Sequence, residues 1–155
     1  MDRWEYLSVN PFDVRYVIAE HFVSDLPEVV DVGTYKRELN LKKKLWCVDP
    51  LGSTDGFRGT VAEFWREFNP SGPYGVVCLG FDLQGGQAEV DAMVELCQGA
   101  DRLVLEWATE YEQPVIAPSF LVNRRRLLAD IHLDLTAPNV PGHPVYSLRQ
   151  LQVWE

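Results

Sequence analysis

Two short apolar runs, each ending in a carboxylate, constrain this chain more than any other feature. They are Glu28-Val-Val-Asp31-Val-Gly33 and, eighteen residues after Asp31, the run Leu45-Trp-Cys-Val-Asp49-Pro50. Short apolar runs bounded by turn formers read as strands buried on both faces, the form that parallel strands take. Neighbouring parallel strands put both acids on one rim of a sheet. In an open α/β sheet, ligands bind beyond the carboxyl ends of the strands, so Asp31 and Asp49 are candidate ligand groups.

The rest of the chain supplies the covering elements. Asn10-Pro11 joins a capping residue to a proline at the first helical position, and Val14, Val17, Ile18, His21 and Phe22 follow at helical spacing, which predicts a helix over 11–24. Strands follow at 28–33 and 44–49, with room for only a short helix over 34–44, and then a Gly/Ser loop over 51–59. Thr60 and Glu63 have the spacing of a capping box, which predicts a helix over 61–68, stopped by Asn69-Pro-Ser-Gly-Pro73. Tyr74-Gly-Val-Val-Cys-Leu-Gly80 reads as another buried strand. Val90, Met93, Val94 and Cys97 form one stripe of a helix over 85–98, closed by Gly99.

Arg102-Leu-Val-Leu-Glu-Trp107 is the next strand, and Ser119 caps a helix over 120–129. Ile131–Leu135 and Tyr146–Trp154 then form a closing antiparallel hairpin. Together these predict a single domain over 1–155 and an α/β fold: a three-layer sandwich, with a mostly parallel sheet, helices on both faces and the hairpin at its end.

Size and charge narrow the function. A chain of 155 residues buries roughly two thirds of its unfolded surface and needs no staple. No apolar run approaches the roughly 20 residues that span a bilayer, and Met1-Asp-Arg-Trp-Glu-Tyr lacks the apolar core of a signal peptide, so a cytoplasmic protein without membrane insertion is expected. Cys47, Cys78 and Cys97 show no CxxC spacing and read as buried free thiols. With 14 bases against 23 acids, the net charge of −9 opposes binding to nucleic acid. Two basic clusters run against that average, Lys36-Arg37 with Lys42-Lys43-Lys44, and Arg124-Arg125-Arg126. Each is either a solvated face or a contact for an anion or an acidic partner.

This order of elements, with Val-Val-Asp-Val-Gly in the first strand, an acid ending the second and a terminal hairpin closing on Leu-Gln-Val-Trp, resembles the S-adenosylmethionine-dependent methyltransferases of the Rossmann-like class. The resemblance spans most of the chain and implies S-adenosylmethionine as cofactor and a small molecule or a protein as methyl acceptor. By that resemblance the cofactor shell is Asp31, Gly33, Thr34, Asp49 and Gly80, with Asp49 holding the ribose hydroxyls. Asp82 is then the catalytic candidate, a general base or a ligand of the acceptor; its other reading is a cap for the helix near 85. Glu106 and Trp107 are either a rim acid beside an aromatic wall or a strand end under the next loop.

The turn after Asp31, Gly33-Thr-Tyr-Lys-Arg37, carries one glycine where that family carries two or three. That motivates an alternative, a catalytically inactive descendant used for interaction and assembly, with Trp4, Tyr6 and Trp154 as anchors for a protein partner or a second copy. A third reading comes from Trp46-Cys-Val-Asp49-Pro50-Leu51-Gly52-Ser-Thr54-Asp-Gly-Phe57, which is similar to the metal-binding segment of inositol monophosphatase-like phosphatases and would make Asp49 a magnesium ligand. Gly52 stands where that family has its second aspartate. No Gly-x-Ser-x-Gly, Walker, His-Glu-x-x-His or full Gly-x-Gly-x-x-Gly motif is present. His21, His132 and His143 read as structural histidines, and Gly52-Ser53-Thr54 as either an anion cradle or a plain loop.

Overall fold

The computed structural model describes residues 13–33, 39–41, 43–49, 57–70, 72–80, 86–109, 121–134 and 148–155. Along the chain the elements are helix α1 (Asp13–Phe22), strands β1 (Glu28–Val32) and β2 (Lys44–Val48), helix α2 (Val61–Glu67), strand β3 (Tyr74–Leu79), helix α3 (Gln87–Gln98), and strands β4 (Arg102–Ala108), β5 (Leu127–Asp134) and β6 (Leu148–Trp154). The six strands make one sheet in the order β2-β1-β3-β4-β6-β5. Pairings from β2 through β4 are parallel, whereas β6 runs antiparallel to both β4 and β5. Among the described residues no helix is long and apolar enough to cross a membrane.

Alternation along the strands sorts the core into two clusters. Val30, Val76, Cys78, Leu103 and Leu105 meet Phe64 of α2 and Met93, Leu96 and Cys97 of α3. Val29, Val77, Val104, Leu151 and Val153 meet Ala19 and Val23, together with Leu26 and Leu39 from the connections. All three cysteines are buried free thiols.

The expected three-layer sandwich is corrected by this arrangement. The sheet is mixed rather than mostly parallel, only three helices are found among the described residues, and one ten-residue helix with loop side chains closes the second cluster in place of a helical layer. The helix expected over 120–129 is also overturned. A turn closed by the Arg125 amide on the Val122 carbonyl leads straight into β5 at Leu127, because seven residues between Leu127 and Asp134 pair in register with β6. Tertiary pairing outweighs the local helical pattern there.

Local signals elsewhere hold closely. Thr60 caps α2 by accepting from the Glu63 amide at 3.2 Å, and Glu89 of α3 accepts from the next orphan amides, Val61 at 3.0 Å and Ala62 at 2.9 Å. Gly99 caps the carboxyl end of α3 as expected, in a right-handed conformation at φ −79° with its amide turned to the Glu95 and Cys97 carbonyls. Arg125 supplies the closure, donating to the Cys97 carbonyl at 2.6 Å and to that of Ala100.

Candidate functional site: the carboxyl rim of β1 and β3

The chain order reverses at β1, which has β2 on one side and β3 on the other. That switch point, at the carboxyl ends of the strands, is where an open sheet leaves a crevice. Gly33 caps β1 with φ 81°, and its amide donates to the Val48 carbonyl at 2.8 Å. Among the described residues an added Cβ there would meet no atom within 4 Å, which leaves their backbone open to a close approach. Register pairs Val32 with Val48, which sets Gly33 beside Asp49. Asp49 is half-buried, and its amide donates to Phe57 at 3.1 Å while the Phe57 amide donates to Cys47 at 2.7 Å, fixing the strand end against a short parallel bridge.

Asp31 lies one row deeper. It pairs in register with Cys47 and Val77 and is buried, on the same face of the sheet as Val29 and Val77 and so on the side covered by α1. Gly80 ends β3 with φ 77°. Asp82 and Thr34 lie outside the described residues, as do Trp4, Tyr6, His143 and the Gly52-Ser53-Thr54 segment. Trp154 is half-buried and packs against the first core cluster.

Glu106 is the residue whose role sequence reasoning divided, and the structure gives it a clear one. It is 0% exposed, on the face that carries α1. One carboxylate oxygen accepts from Arg15 of α1 at 2.9 Å and from the Gly80 amide at 2.8 Å; the other accepts from Arg149 of β6. Charge-assisted bonds of this kind are the strong ones, and they satisfy a carboxylate whose burial alone would be costly. Glu106 therefore ties the β3 turn, β4, β6 and the first helix together directly behind the rim. No local signal announces this, since Arg15 is 91 and Arg149 is 43 residues from Glu106.

The basic cluster at 42–44 also has structural work among the described residues. Lys43 donates to the carbonyls of Val23, Ser24 and Leu26 at 3.1, 2.6 and 2.5 Å, and Lys44 lies 3.4 Å from buried Glu28 and over the Trp46 ring. Glu28 also accepts from the Trp46 indole at 2.6 Å. No group of three His, Cys, Asp or Glu side chains able to hold a metal occurs among the described residues. Neither the protein-family models nor the curated proteins include a match to this chain.

Proposed function

We propose that this chain is an S-adenosylmethionine-dependent methyltransferase-like protein acting on a small molecule or a protein, with the cofactor's nucleoside on the rim at β1. The observation that carries the reading is the left-handed Gly33 at the point where strand order reverses, beside half-buried Asp49. Gly33 lets a ligand lie against backbone, and a carboxylate such as that of Asp49 accepts hydrogen bonds from both hydroxyls of a ribose. The bound cofactor would supply the transferable methyl group. The protein's share is to hold donor and acceptor in line, a task of positioning that needs little acid-base machinery. Gly80, held by Glu106 at the end of β3, shapes the adjoining side of the rim.

Calorimetric titration of the full chain with S-adenosylmethionine and S-adenosylhomocysteine tests this. Saturable binding that weakens at least about tenfold in Asp49→Ala is expected, equivalent to about 1.4 kcal/mol. Absence of heat at about millimolar ligand would exclude the reading. The alternative, a non-catalytic scaffold used for assembly, is favoured by the exposed leucines Leu127, Leu128 and Leu148 at the β5–β6 side of the sheet. A concentration-dependent sedimentation coefficient lost in Leu128→Ser would support it.

A further inference from the structure

At the opposite end of the sheet from the β1 rim, a cavity of about 460 Å³ is lined by Gln98, Leu121, Asn123, Arg124, Arg125 and Glu155. We infer that this cavity is a second binding site, which takes a small ligand through an oxyanion held by Arg124.

The first ground is conformational. The Arg125 amide donates to the Val122 carbonyl at 3.0 Å, which closes a four-residue turn with Arg124 at its third position and φ 64°. That position with positive φ calls for glycine or asparagine. Arg124 is the one non-glycine residue with positive φ among the described residues, so the turn keeps a large cationic side chain where a small residue would relieve the backbone. Strain of this kind gathers where a side chain must be presented to something.

The second ground is electrostatic. Of the three consecutive arginines, Arg125 is engaged with the carbonyls that end α3, and Arg126 pairs with Glu155. Arg102 nearby pairs with Asp25 and lies 3.8 Å from Glu155. Arg124 enters no ion pair among the described residues and lines the cavity. The lining thus carries two arginines, Arg124 and Arg125, against one acidic side chain, Glu155, in a protein whose net charge is −9.

The third ground is the lining itself. A guanidinium presents a planar fork that matches carboxylate or phosphate, the carboxamides of Asn123 and Gln98 add neutral donors, and Leu121 offers an apolar wall for the rest of the molecule. The volume lies within the usual range for small-molecule sites, about 300–1,000 Å³. This inference stands apart from the reading of the β1 rim, and either can fail without the other.

The test uses the full chain and two probes, inorganic phosphate and succinate, followed by amide shifts and calorimetry. Saturable binding with Kd at or below about 1 mM is expected for at least one probe, with the tighter one naming the ligand class. Amides of Asn123, Arg125 and Gln98 should shift while that of Gly33 stays still. Arg124→Gln should weaken binding at least about tenfold. Arg124→Gly should do the same while raising Tm, because it removes the cation and relaxes the turn together. Failure of both probes to bind at about 20 mM, or binding by Arg124→Gln or Arg124→Gly equal to that of the native chain, would overturn the site.

Discussion

The parallel half of the sheet and its antiparallel hairpin are built on different terms. In β3 five of six residues are buried and the sixth is half-buried, whereas β5 alternates half-buried with exposed positions and leaves Leu127 and Leu128 open. Helices α2 and α3 cover the parallel strands, while β5 lies at the sheet's edge, pairs with β6 and packs Ala129 and Ile131 against the second cluster. The difference teaches where function can sit. Buried strands carry the left-handed turns at Gly33 and Gly80, and the hairpin reaches the Gly80 turn through Arg149 on Glu106.

The harshest way to break that division is at the shared clamp. Glu106→Ala leaves Arg15 and Arg149 facing a void where their common carboxylate stood, so a loss of about 3–5 kcal/mol is expected, measured by chemical denaturation. An effect below about 1 kcal/mol would mean that the two halves are not coupled through this residue. The contrast between halves is sharpened by paired truncations. Phe64→Ala, in the aromatic cluster with Trp46, Phe57 and Phe68, should cost about 3–5 kcal/mol, while Leu128→Ala should stay within about 0.5 kcal/mol. Equal costs would contradict the stated difference in packing.

Gly80→Ala asks whether the rim turn tolerates a side chain. The new Cβ would sit at an ordinary 3.7 Å from Arg149, so the cost comes from φ 77° alone, about 1–2 kcal/mol in thermal unfolding. The last test uses pH. Burial pushes the Cys97 thiol and the Tyr74 phenol up to about 12, from 9.0 and 10.0. The unfolded chain loses those protons first, so both groups contribute stability that is intact below pH 9 and is lost as pH rises toward 12. Cys97→Ala should flatten the lower part of that alkaline slope in denaturation curves recorded from pH 8 to 11.

The parallel half was legible because its signals are local. The apolar runs at 28–33, 44–49 and 74–80 and the capping residue Thr60 each lie within one or two residues of the observed elements. The segment after Ser119 was not, since whether Leu127-Leu128-Ala129 coils or extends depends on a strand more than twenty residues later. The same limit applies to the site. Gly33 and Asp49 follow from strand ends, but the burial of Asp31 and the binding of Glu106 by Arg15 and Arg149 arise only when distant segments meet.

The claim that the β1–β3 rim is the ligand site is tested most directly by an amide-shift titration of the full chain with S-adenosylhomocysteine. Saturable shifts at Gly33, Asp49 and Gly80, with β5 and β6 unchanged, are the predicted result. No shift at about 2 mM ligand, or shifts confined to the hairpin, would contradict it.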